Sequence, residues 1–157
     1  MVVDELTALD PIERAYRDQG ARLLRALYAY TGSAEIAEDA VADAFAQALR
    51  SRDQIRHVEP WICRVAFRKA ARDLRRKERS APSEGASTYS MTEAAVDLVT
   101  ALGQLSPKQR SSIILHHYAG YPIRDVAEIL GSTSGAVKVH LSVGRRRLRA
   151  LLEERDG

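Results

Sequence analysis

Ile123-Arg124-Asp125-Val126-Ala127-Glu128-Ile129-Leu130-Gly131-Ser132-Thr133-Ser134-Gly135-Ala136-Val137-Lys138-Val139-His140-Leu141 is the stretch on which the fold turns. Its spacing is that of a helix-turn-helix. A short scaffold helix over Ile123 to Leu130 needs a small inward residue where a second helix crosses it, and Ala127 supplies one. Gly131 permits the sharp turn. Val137 and Leu141 then face inward and hold a recognition helix expected from about Ser134 to Leu152. Its expected outward side is Ser134, Lys138, His140, Ser142 and Arg145, with Arg146 close behind. Such a helix enters the major groove by its N-terminal part, while its cations neutralise phosphates. A plain αα-hairpin fits the same spacing.

Moving outward, helix signals dominate the 157 residues. Ser106-Pro107-Lys108-Gln109 combines a cap, a first-turn proline and a capping-box glutamine, opening a helix to about Tyr118. Thr92 caps a preceding helix marked by Ala95, Leu98, Val99 and Leu102. Near the N-terminus, Asp10-Pro11-Ile12-Glu13 has the form of a capped helix start, with Glu13 placed to close a capping box and Gly32 to end the helix. Its apolar stripe is Ile12, Tyr16, Leu23, Leu24, Leu27 and Tyr30. Ser33 caps a second helix whose apolar face runs Ala37, Ala40, Val41, Ala44, Phe45, Ala48 and Leu49, with Glu38, Asp39, Asp43 and Gln47 opposite. Pro60 opens a third helix to about Arg79. Ile62, Cys63, Val65, Ala66, Phe67, Ala70 and Leu74 cover one face of it, and Trp61, Arg64, Arg68, Arg72, Arg75 and Arg79 fall together on another. Between the halves lies Ser80 to Met91, rich in Ser, Pro and Gly, which is the linker candidate. The expectation is an all-α chain of two small helical domains, residues 8–79 and 92–155, joined by a flexible linker over residues 80–91.

The formal net charge of +3 hides a strong pattern: residues 50–79 carry eleven basic and four acidic residues, and residues 107–157 carry nine and five. Residues 1–49 are acidic overall, and residues 80–106 have no basic residue. Two basic blocks separated by an acidic stretch fit two contacts with one polyanion, with solvated helix faces as the plainer reading. The row Trp61, Arg64, Arg68, Lys69, Arg72, Arg75 and Arg76 joins one aromatic to a line of cations. That combination captures single-stranded nucleic acid by stacking and phosphate pairing, although Trp61 also suits a core position at a helix start.

Enzyme and metal chemistry have little to stand on. One cysteine, Cys63, excludes an internal disulfide and a Cys-cluster metal site. The adjacent His116 and His117 diverge on a helix, and no HExxH pattern, phosphate-binding glycine loop or Ser/His/Asp signature is present. No apolar run approaches a membrane span and no secretory signal is visible, so a cytoplasmic protein with no cofactor is expected. The short C-terminal end leads to the expectation of no appended sensor domain.

Three segments together resemble an RNA polymerase sigma factor of the extracytoplasmic-function (ECF) group of the sigma-70 family. Ala37-Glu38-Asp39-Ala40-Val41-Ala42-Asp43-Ala44-Phe45 resembles the region 2 segment that docks on core polymerase. Pro60-Trp61-Ile62-Cys63-Arg64-Val65-Ala66, leading to Leu74-Arg75-Arg76-Lys77, resembles the region 2 helix that opens and reads the −10 element. Leu105 to Arg110, Gly135 to Lys138 and Arg147-Leu148 resemble region 4, which reads the −35 element. The resemblance implies a non-catalytic initiation subunit, a monomer when free, with core polymerase, promoter DNA and an anti-sigma factor as partners. It assigns −10 melting to the Trp61 row, −35 reading to the outward residues from Ser134 to Arg146, and polymerase docking to Glu38, Asp39, Asp43 and Gln47. It also implies that the linker, with Glu84 and Glu93 near its ends, threads the polymerase cleft. Ala42 stands where the family usually has Gln, Arg68 and Arg72 where it has Asn and Asp, and His140 and Val143 where arginines are common; Ser132 replaces an apolar turn residue. The alternative is a stand-alone helix-turn-helix regulator with an N-terminal dimerisation or sensing module; Val137 to Leu141 also resembles response-regulator output domains.

Overall fold

The computed structural model describes residues 10–80 and 91–156. Most of the expected linker, including Glu84, lies outside the described residues, as do residues 8 and 9 of the expected first domain.

Helix α1 (Pro11–Thr31) begins where Asp10 accepts from the Ile12 N–H at 2.9 Å and ends on Gly32 at φ 67°, whose N–H reaches the Tyr28 carbonyl. Only glycine takes that backbone conformation without strain. The cap is this single bond, not the box expected with Glu13. Glu13 is exposed, and the second Asp10 oxygen pairs with Arg52 at 2.6 Å.

Ser33 caps α2 (Ala34–Arg50) through the Ile36 N–H. Its buried face is Ile36, Ala37, Ala40, Ala44, Phe45 and Ala48, whose four alanines allow close approach of its neighbours in the bundle. Three residues expected at apolar positions fall outside the core: Leu49 is 51% exposed, Tyr16 60% and Leu98 42%. The Tyr16 ring lies edge-on to Phe45, 5.1 Å between centroids, with much of its surface open to solvent.

A short 3-10 turn (Arg52–Gln54) leads to α3 (Val58–Arg79), which starts two residues before Pro60. The proline falls in the first turn, where an N–H has no intrahelical acceptor, so the helix need not wait for it. Ile62, Cys63, Ala66, Phe67, Ala70 and Leu74 close the three-helix core, and Phe67 meets Tyr30 at 5.5 Å.

The second group begins with α4 (Glu93–Gly103), capped by Thr92, and α5 (Pro107–Ile113), which carries the expected reciprocal box between Ser106 and Gln109. Helix α5 continues into a π turn (Ile114–Tyr118), followed by α6 (Ile123–Leu130) and, after Gly131 at φ 63°, by α7 (Ser134–Asp156). Thr133 caps α7 through the Ala136 N–H, and α7 runs four residues past the expected Leu152. Val137, Leu141 and Gly144 form its buried seam. A β-carbon on Gly144 would stand 2.8 Å from Ile113 Cδ1, so this glycine sets how closely α7 lies on α5.

The two groups meet. α1 packs on α4, α5 and the π turn, and α3 packs on α6.

Candidate nucleic-acid interface

On α3 the basic row is real in space. Arg68, Arg72, Arg75 and Arg76 are exposed, and Arg64 and Trp61 are half-buried at the head of the row. Trp61 and Arg64 line a cleft whose far wall carries Asp125, Glu128 and Ile129 of α6. Lys69 turns to Asp73 at 3.1 Å, one helical turn on. Arg68 reaches across to the α6–α7 turn, its guanidinium 3.7 Å from where a β-carbon on Gly131 would stand. The head of the row therefore faces the helix-turn-helix, while Arg72, Arg75 and Arg76 look outward.

On α7 the seam fixes the phase of every other side chain. At about 100° per residue, Val139 falls opposite the seam, with Gly135, Ser142 and Arg146 beside it. Ser134, Lys138, Ser142 and Arg146 are exposed, as expected. By the same phase Lys138 and His140 lie about 100° to either side of Val139, with Arg145 and Ser134 further round on the Lys138 side. His140 is half-buried on one flank, and Arg145 sits on the other with Nη1 3.3 Å from His117 Nε2. Burial holds His117 below the usual imidazole range, and His116 and Arg145 lower it further. The residue at the centre of the face is Val139, 60% exposed, with Val143 beside it at 39%. The sequence carries this signal, since Val137 and Leu141 inward put Val139 outward.

The acidic residues of α2 share one side of that helix. Glu38 and Asp39 are exposed, and Asp43 and Gln47 are half-buried and joined by a 2.6 Å bond from Gln47 Nε2 to Asp43 Oδ2.

Contacts between the halves were not legible beforehand. Arg22 donates to the Tyr118 carbonyl and covers its ring, and Arg25 Nε donates to the Tyr118 hydroxyl at 2.8 Å. Tyr121, in the loop after the π turn, brings its hydroxyl to the Cys63 thiol. Burial pushes that thiol up to about 12 and also raises the Tyr121 phenol. Arg110 is 7% exposed, and its guanidinium serves the carbonyls of Leu102, Gly103, Leu105 and Tyr30. No cluster of three potential metal ligands occurs among the described residues, and none of their helices is long and apolar enough to cross a membrane.

A helical chain with a Trp-headed arginine row in one half and a helix-turn-helix in the other has the make-up of a two-part DNA-binding transcription protein. Its sequence matches the family description Sigma-70 region 2 over residues 15–80 and Sigma-70, region 4 over residues 95–148. The chain belongs to the sigma-70 family, in the ECF group of RNA polymerase sigma factors. It is similar to the RNA polymerase sigma factor CarQ of Myxococcus xanthus, 27% identical over 161 residues that cover 94% of this chain and 92% of that one. It is also similar to the probable ECF RNA polymerase sigma factor SigI of Mycobacterium tuberculosis, at 25% identity over 88% of this chain and 54% of SigI, so it spans about half of that protein. Among solved structures, the sigma factor RpoE of Bartonella quintana, in complex with the anti-sigma factor NepR, shares the fold with a TM-score of 0.77 at 22% identity, over 92% of this chain and 98% of that one. The family decides for an alternative sigma factor over a stand-alone regulator, in a family whose members are regulatory initiation subunits.

Proposed function

We propose that this chain selects promoters as the initiation subunit of RNA polymerase in the cytoplasm, using its two halves for the two promoter elements. Residues 8–79 dock on core polymerase and hold the opened −10 strand. Residues 92–155 read the −35 duplex, and residues 80–91 link the two. The observation that carries this reading is Trp61 at the head of an exposed arginine row on α3. An indole stacks on an unpaired base for about 1–3 kcal/mol, and guanidiniums along the same face neutralise the strand's phosphates. Trp61, Arg64, Arg68, Arg72, Arg75 and Arg76 do this work, with Lys69 held beside them by Asp73. Ser134, Lys138, Ser142 and Arg146 meet the duplex, with His140 and Arg145 at the flanks. Glu38, Asp39, Asp43 and Gln47 make the polymerase contact through an anionic face. An anti-sigma factor is the further partner, by likeness to the NepR-bound neighbour.

The test is transcription with core polymerase on a pooled genomic template. Discrete start sites sharing two upstream elements are expected. The Arg64→Ala, Arg68→Ala double variant should still bind core polymerase but fail to open the promoter. Unchanged open-complex formation would remove the α3 assignment. Undiminished core binding after reversing the charges of Asp39 and Asp43 would remove the α2 assignment.

A further inference from the structure

The recognition helix presents an apolar centre inside a cationic rim. Val139 stands opposite the buried seam and is 60% exposed, with Val143 one turn on at 39%. Gly135, one turn before, has open space where a β-carbon would be, so the backbone is bare on the approach to Val139. Lys138 and Arg146 border this patch and are exposed. The rim rules against a second copy of the chain as occupant, since two such helices would bring like charges together. A polyanion with an apolar group at its centre is the complementary surface.

Duplex DNA has one. In the major groove the four base pairs differ in donors and acceptors, and the apolar group among them is the thymine C5-methyl. A valine has nothing to offer guanine O6 and N7 or adenine N6 and N7, but it covers a methyl. We infer that Val139 and Val143 read thymine methyls in the −35 element, so the chain prefers T·A pairs at the centre of that element and gains no guanine contact there. This rests on the reading of α7 as the −35 reader and names which bases it selects.

The experiment uses the full chain with core polymerase. Duplexes are first selected from a random pool. Each thymine of the selected −35 element is then replaced by deoxyuridine, which lacks only the methyl. Removing a buried methyl should weaken binding about fourfold at the contacted positions. In the Val139→Ala, Val143→Ala variant the same replacement should change affinity by less than about twofold, because the methyl has lost its cover. Both valines are exposed, so the variant should melt with the parent. Val139→Arg should move the selected base towards guanine. Sequence-specific binding that ignores every deoxyuridine overturns this inference alone, as does full sensitivity retained in the double alanine variant. Absence of any sequence-specific duplex binding overturns the −35 reading beneath it.

Discussion

Arg110 Nη1 donates to the Tyr30 carbonyl at 2.6 Å, tying α5 to the end of α1 across eighty residues of sequence. The same guanidinium donates from Nε to Leu102 and from Nη2 to Leu105, at 2.9 and 3.1 Å. It also lies over the Tyr30 ring, 5.4 Å from the centroid. Burial lowers the Arg110 pKa and raises the Tyr30 phenol, yet an arginine stays charged in proteins. One planar fork therefore fills the carbonyls of the α4–α5 junction and still reaches the other half.

Arg110→Met keeps the bulk and removes every donor. Stability should fall by about 2–3 kcal/mol, because buried carbonyls lose charged partners. Arg110→Lys should recover little, since an ammonium cannot reproduce the fork. Urea unfolding reads both, and a methionine variant as stable as the parent would show that the guanidinium is dispensable.

Cys63 reports on the junction between the halves. Its thiol is buried, pushed up to about 12, and covered by Tyr121 from the other half. The thiolate is the reactive form, so iodoacetamide at pH 8 should label it slowly. Tyr118→Ala removes the acceptor hydroxyl of Arg25 and the ring under Arg22, and should speed labelling about tenfold by loosening the same interface. Labelling of the variant at the parental rate would mean that Tyr118 does not hold the halves together.

Asp125 and Glu128 face Trp61 and Arg64 across their cleft, where they oppose an incoming phosphate. The Asp125→Asn, Glu128→Gln double variant should bind a single-stranded oligonucleotide about threefold more tightly at low salt, with the gain fading as salt screens it. Fluorescence anisotropy across a salt series measures this. Equal affinities at low salt would show that the acidic wall leaves the row untouched.

His117 gives a pH dependence of known sign. Its folded pKa lies below the usual value, so the unfolded chain takes up the proton first as pH falls. The neutral ring's contribution is present above about pH 6.5 and is lost as pH falls below that value towards the depressed folded pKa. Tm should therefore drop between pH 7 and pH 5, and by less in His117→Asn. An identical drop in both proteins would place the titration elsewhere.

Helix starts were legible because their chemistry is local. Asp10, Ser33, Thr92 and Ser106 each cap the helix that follows them. The start of α3 was misplaced for the same reason: His57 makes no side-chain cap, so the only local mark was a proline tolerated anywhere in the first turn. The role of Arg110 was not legible, because a lone arginine on a short helix resembles any solvated cation and its acceptors include a carbonyl eighty positions away. The apolar apex at Val139 was within reach of periodicity alone. Charge marks the rim residue by residue, whereas the apex shows only once the phase of the whole helix is fixed.

The π turn at Ile114–Tyr118 adds one residue to a helical circuit, with the Ala119 N–H returning to Ile114 at 2.9 Å and the Tyr121 N–H to Leu115 at 3.0 Å. An extra residue shifts everything after it by about 100° relative to a regular helix. That offset turns the end of the helix, and Tyr118 with it, towards the opposite half, while Ile113, Ile114 and Leu115 before it stay in the core. Deleting one residue here would restore ideal winding and send Tyr118 elsewhere. Part of the grip between the halves is thus an error of phase in a helix, a property carried by residue count rather than by residue identity.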